Sequence, residues 1–174
     1  MIIDRRDALA GMAAMFGASL FAPIARAAAG ETPPIISSGP PSSPVFTAQQ
    51  RALMTALSER VMPTTDTPGA IAAGVPEFIE KLLADWASPD DRKPIIAGLD
   101  AIEARSRTDY KVAADKATPA QQDALLTLAM EDKLPGGADF FEAFRQLVLT
   151  GYFTSEVGIT QEREYLPVPG RYDG

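Results

Sequence analysis

The arrangements in this chain closest to an acid–base catalyst are two carboxylate pairs, Asp90/Asp91 and Glu162/Glu164. Two carboxylates suffice to break a glycosidic bond, one as proton donor and one as nucleophile or base. The full sequence contains no His and no Cys, which leaves carboxylates, Lys, Tyr, Ser and Thr for chemistry. A Ser-His-Asp triad, a Cys-His pair and a histidine-ligated zinc or copper site are excluded. So are a haem attached through C-x-x-C-H and an iron–sulfur cluster held by this chain alone. No G-x-G-x-x-G or G-x-x-x-x-G-K-[ST] phosphate loop is present, and Gly136-Gly137 is a loop signal only. Asp90 and Asp91 follow Ser88-Pro89 in a helix-start pattern, and both carboxylate pairs are read as solvated charge. The residues assign no catalytic, cofactor-binding or metal-ligating position.

Charge narrows the partners further. The chain carries 16 basic and 23 acidic residues, a net −7. A phosphate backbone repels such a protein, so nucleic acid is not an expected partner. No Lys/Arg-rich run suggests a polybasic membrane patch. The lack of cysteine suits a periplasmic protein built on its core and a cytosolic one equally.

The compartment is read from the N-terminus. Arg5 and Arg6 form an adjacent pair, with Leu9 where a twin-arginine signal commonly has an apolar residue. Ala8 to Ala22 carries no charge, which leaves it without the polar face of an amphipathic surface helix. Ala25-Arg26-Ala27 offers an A-x-A cleavage site at Ala25 and Ala27. This is the three-part plan of an export signal. Its apolar run falls short of the ~20 residues that span a bilayer. The arginine pair selects the twin-arginine route, which moves proteins already folded. Asp4 before the pair and Ala8 after it depart from the usual Ser/Thr and Phe. Cleavage after residue 27 removes Arg5, Arg6 and Arg26 with Asp4 and Asp7, and takes the net charge from −7 to −8.

The elements that follow are helical. Residues 28–46 hold five prolines among Gly and Ser, which makes this stretch a linker or extended arm. Thr47-Ala-Gln-Gln50 is a capping-box pattern, followed by Leu53, Met54, Leu57 and Val61 at helical spacing. Pro63 to Gly69 is a turn-rich connector. Gly74-Val-Pro76 restarts a helix bearing Phe78, Ile79, Leu82, Leu83 and Trp86, with Trp86 read as core rather than contact. Ser88-Pro-Asp-Asp91 starts another, whose regular part is expected from about Pro94 to Arg107. Thr118-Pro-Ala-Gln121 opens a fourth. Leu134-Pro-Gly-Gly137 precedes a fifth, with Phe140, Phe141, Phe144, Leu147 and Val148. No stretch alternates with a period of two. The expectation is an all-α bundle of about five helices over residues 47–174, with an irregular tail from about residue 154.

Four segments together point to a family. Arg60-Val-Met-Pro-Thr-Thr-Asp-Thr-Pro-Gly-Ala70, Ala73-Gly-Val-Pro-Glu-Phe78, Gly151-Tyr-Phe-Thr-Ser-Glu156 and Pro167-Val-Pro-Gly-Arg-Tyr172 resemble, in order and spacing, the gluconate 2-dehydrogenase subunit 3 family. Thr118-Pro-Ala-Gln-Gln122 lies between them, as that family has it, and the resemblance covers about residues 47–172. It implies a non-catalytic small subunit of a membrane-associated sugar or polyol dehydrogenase. The implied partners are a large subunit carrying flavin (FAD), often a cytochrome c subunit with haem c, and the twin-arginine translocase. The large subunit of such complexes commonly lacks a signal and crosses on the small subunit's leader. The implied location is the periplasmic face of the inner membrane.

Candidate contacts with that partner are Thr64, Thr65 and Asp66 in the connector, Tyr152 and Phe153, and Tyr165, Pro167, Pro169, Arg171 and Tyr172 in the tail. An extended segment with Pro, Arg and Tyr is a common docking form. Each has a plainer use: Thr and Asp satisfy backbone groups in turns, and Tyr152 and Phe153 suit the core at a helix end. Three other functions stay open at this point. The chain is a transient export chaperone that later leaves the flavoprotein, an independent carboxylate enzyme, or a helical ligand-binding domain.

Overall fold

The first helix starts where its side chains repair its own end. The Thr47 hydroxyl accepts from the Gln50 amide at 3.2 Å, and the Gln50 side chain accepts from the Thr47 amide at 3.0 Å. This reciprocal box satisfies two orphan donors of the opening turn. It begins α1, Ala48–Val61, in this structure, a computed structural model described over residues 40–162. The same device opens α3 at Ser88/Asp91 and α4 at Thr118/Gln121. Helix α2 spans Val75–Asp85, α3 Pro89–Asp109, α4 Pro119–Met130 and α5 Gly137–Thr154. A short 3-10 turn, Ala114–Lys116, separates α3 from α4. The described residues are helical with no strand, as the spacing predicts. Arg5, Arg6, Leu9, Ala25 and Ala27 lie outside the described residues, as do Glu164, Tyr165, Pro167, Pro169, Arg171 and Tyr172.

Helix α5 is the centre of the bundle and packs on each of the other four. Its buried positions Phe140, Phe144, Val148 and Tyr152 recur every four residues and form one stripe. Leu53, Met54 and Leu57 of α1, Ile79 and Leu83 of α2, Ile95, Leu99 and Ile102 of α3, and Leu125 of α4 close around it. Full burial of each large apolar side chain stabilises by about 1.5–3 kcal/mol. The Phe140 and Phe144 rings stack with centroids 5.4 Å apart. Phe140 sits so close to α3 that any side chain at Gly98 would overlap its ring. That glycine sets the α3–α5 approach.

Three details differ from the sequence expectation. Helix α3 begins at Pro89 and runs unbroken through Pro94. The only backbone bond lost is to the Asp90 carbonyl, which lies in an exposed first turn where water can satisfy it. Trp86 is half-buried rather than core, because it is the C-cap residue just past the last turn of α2. The stretch after residue 154 does not turn irregular at once. The Ser155 hydroxyl donates to the Tyr152 carbonyl at 2.6 Å and accepts from the Gly158 amide at 3.1 Å. That bridge starts a further helical turn, Gly158–Glu162.

The arm before α1 is tied to the body at its last residues. Phe46 is buried in the core. The Ser42 amide donates to Asp85 at 2.9 Å, and Lys81 reaches the Pro40 carbonyl at 3.2 Å and Asp85 at 2.9 Å.

Candidate functional site: the connector at one end of the bundle

Pro63 stops α1 and Pro68-Gly69 turns the chain toward α2, so the connector between them cannot pair its backbone as helix or sheet. Its polar groups are satisfied from within the protein, and one side chain does most of this. Glu59 Oε1 accepts from the Thr64 amide at 2.9 Å and the Thr64 hydroxyl at 2.7 Å, and Oε2 accepts from the Ile71 amide at 3.0 Å. The Thr64 hydroxyl in turn accepts from the Gly69 amide at 3.0 Å. Burial pushes the Glu59 pKa up. The Ile71 amide, the Thr64 hydroxyl and amide, and the Arg60 charge outweigh this and hold it below the ordinary value. Gly69 packs against both Glu59 and Thr64, and a Cβ there would overlap them.

Two more anchors come from the far end of the chain. The Tyr152 hydroxyl donates to the Pro68 carbonyl at 2.9 Å. The Thr67 hydroxyl donates to Glu162 Oε2 at 2.8 Å. Beside the connector, Arg60 forms a two-pronged pair with Asp123 at 2.7 and 2.8 Å, joining the end of α1 to α4. That hydrogen bonding raises the Arg60 pKa and lowers that of Asp123.

The connector residues named from sequence therefore divide. Thr64 faces the Glu59 carboxylate, although the residue as a whole is exposed. Thr65 and Asp66 are exposed at the tip, where the Thr65 amide donates to the Thr67 carbonyl at 3.0 Å. Tyr152 is 1% exposed and acts on the connector from inside. Phe153 is half-buried, with its ring edge-to-face on Tyr152 at a centroid distance of 5.4 Å. The structure thus brings Thr64–Asp66 and Tyr152–Phe153 to one end of the bundle, although some 85 residues separate Thr67 from Tyr152 in the chain.

Sequence reasoning missed Glu59 and Ile71. Glu59 occupies the last turn of α1, where the helix dipole disfavours an anion. A carboxylate placed there, ahead of a connector full of amides, was the available signal. Ile71 has 49% of its surface exposed. It lines an open groove of about 460 Å³ with Ala48, Arg51, Ala52, Thr55 and Ala56 of α1 and Asp115 and Lys116 of the 3-10 turn.

Three members of the two carboxylate pairs lie among the described residues, and all three are used structurally. Asp91 completes the cap with Ser88, and Asp90 pairs with Lys93 at 2.7 Å. Glu162 is held by Thr67. Among the described residues, no group of three or more Asp or Glu is placed to hold a metal ion.

A family model described as gluconate 2-dehydrogenase subunit 3 matches residues 48–170. No curated protein and no solved structure matches the chain.

Proposed function

Because the chain belongs to the gluconate 2-dehydrogenase subunit 3 family, a family of dehydrogenase subunits, we propose that it is the non-catalytic small subunit of a periplasmic sugar or polyol dehydrogenase. The observation that carries this reading is the family match, which runs from α1 to Gly170. The composition agrees with it: a chain without His or Cys leaves redox chemistry to a larger subunit. FAD belongs to that subunit, and haem c to a cytochrome subunit where one is present. The dehydrogenase oxidises its substrate there, while this chain folds with the flavoprotein and stabilises it.

The Arg5-Arg6 leader supports a second task. Flavin is loaded in the cytoplasm, so the flavoprotein must cross the membrane folded. A twin-arginine signal on this chain supplies that route for both. The complex then sits at the periplasmic face of the inner membrane. The surroundings of the connector fit a subunit role better than an enzyme role, because Glu59 and Glu162 are spent on amides and hydroxyls of the protein itself.

Co-purification tests the reading. The chain, tagged at its C-terminus and expressed with its neighbouring genes, is expected to bring down one equivalent of a flavoprotein with sugar or polyol dehydrogenase activity. Changing both Arg5 and Arg6 to Lys is expected to leave the flavoprotein in the cytoplasm. A flavoprotein exported and fully active without this chain would overturn the proposal. A mature periplasmic complex lacking the chain would make it a departing chaperone instead.

A further inference from the structure

We propose that the larger dehydrogenase subunit docks on the tip of the Pro63–Ile71 connector and the groove beside it. An apolar side chain of that subunit seats against Ile71, and a cationic one meets Asp66. This rests on the accessory-subunit reading above and names the surface that reading requires.

Three observations lead here. The first is rigidity. Glu59, Tyr152 and Glu162 hold the connector at four points, through the amides of Thr64 and Ile71, the Pro68 carbonyl and the Thr67 hydroxyl. The same bonds that satisfy the connector's backbone also leave its tip ordered, from which a docking loop gains. Ordering at the interface opposes binding, and a loop already ordered loses little on association. The second is exposure of the wrong kind. Ile71 is a large β-branched side chain left 49% exposed. It stands over Ala52 and Ala56, whose small side chains make the neighbouring face of α1 shallow enough to take an inserted apolar group. The third is charge. Asp66 is exposed at the tip and has no ion pair among the described residues, and Glu162 stands next to it through Thr67. A partner surface meeting this acidic tip must offer Arg or Lys. An apolar anchor beside a charged contact is the usual composition of an interface centre and rim.

The absence of cysteine makes the test clean, since any thiol introduced is the only one in the chain. Ile71→Cys, Thr65→Cys and Met130→Cys are made singly in the full chain and co-expressed with the flavoprotein. Met130 is 53% exposed and is not part of the groove lining. Maleimide labelling rates are read for the free chain and for the complex. Expected is a slowing of about tenfold or more at residues 71 and 65 in the complex, with residue 130 unchanged. In parallel, Ile71→Asp and Asp66→Arg are each expected to weaken the complex about tenfold without lowering the melting temperature of the free chain by more than a few degrees.

Equal labelling in free chain and complex at residues 65 and 71 overturns the inference. It does so while leaving the accessory role standing, provided the wild-type chain still co-purifies with the flavoprotein. If the wild-type chain brings down no flavoprotein, the functional reading itself fails. If the free chain is a dimer that Ile71→Asp splits, the groove belongs to a second copy. If deleting residues 163–174 speeds labelling at residue 71 in the free chain, the tail covers the groove. Either of these last results also overturns the proposal.

Discussion

Tyr152 and Pro68 are joined by a hydrogen bond of 2.9 Å from the tyrosine hydroxyl to the proline carbonyl. The bond crosses 84 positions of sequence and fixes the connector to the central helix. Tyr152→Phe keeps the buried ring and removes only the donor, leaving the Pro68 carbonyl without it. The expected loss is about 1–2 kcal/mol of unfolding free energy, read by urea denaturation. Cleavage by protease within residues 63–69 should also quicken, because the loop loses one anchor.

Glu59 gives the connector a pH dependence of definite sign. Its folded pKa lies below the unfolded value of 4.5, so the unfolded chain takes up a proton first as pH falls. The stabilisation is complete above pH 4.5 and is lost progressively as pH drops through the lower folded pKa. Glu59→Gln, which removes the charge, should cost about 1–2 kcal/mol at neutral pH and flatten the acid limb of the stability curve. An unchanged acid limb would show that other carboxylates set it.

The arm clasp answers to a lower pH window. The Ser42 hydroxyl, the Lys81 ammonium and the Ser42 amide hold the Asp85 carboxyl down to about 2, from 3.8. The clasp should therefore be complete above pH 3.8 and released between there and 2. A spin label on Ser43→Cys should become more mobile across that interval. With Asp85→Ala it should be mobile at all pH values.

Packing at the α3–α5 crossing is expected to be unforgiving. A methyl at Gly98 would overlap the Phe140 ring, so Gly98→Ala should destabilise by about 1–3 kcal/mol despite its better helix propensity. The pair Gly98→Ala with Phe140→Leu should recover part of that loss. Full additivity in the double-mutant cycle would refute the contact as the cause.

Local signals were written plainly in the sequence. Thr47, Ser88 and Thr118 each begin a helix where the sequence places a start; the capping box expected at Thr47 forms, and the structure adds the same device at Ser88 and Thr118. Of the five apolar residues the sequence places on α5, Phe140, Phe144 and Val148 form its buried stripe, while Phe141 and Leu147 are half-buried against the core. The four motifs marked the family over nearly the span the family model matches. These features depend on neighbours within a turn or two, or on residue order alone, so a linear reading reaches them.

The tertiary structure decided what depends on distant partners. Pro94 stays inside α3 because its one lost bond faces water, a fact of exposure rather than of sequence. Tyr152 turned from a possible surface group into an internal anchor because α5 runs through the centre of the bundle and presents it to the connector. Glu59 gained its role because the chain after Pro63 folds back over the end of α1 and brings the amides of Thr64 and Ile71 to a single carboxylate. Helical periodicity says which side chains point inward. Which loop crosses over them is set only when the helices have packed.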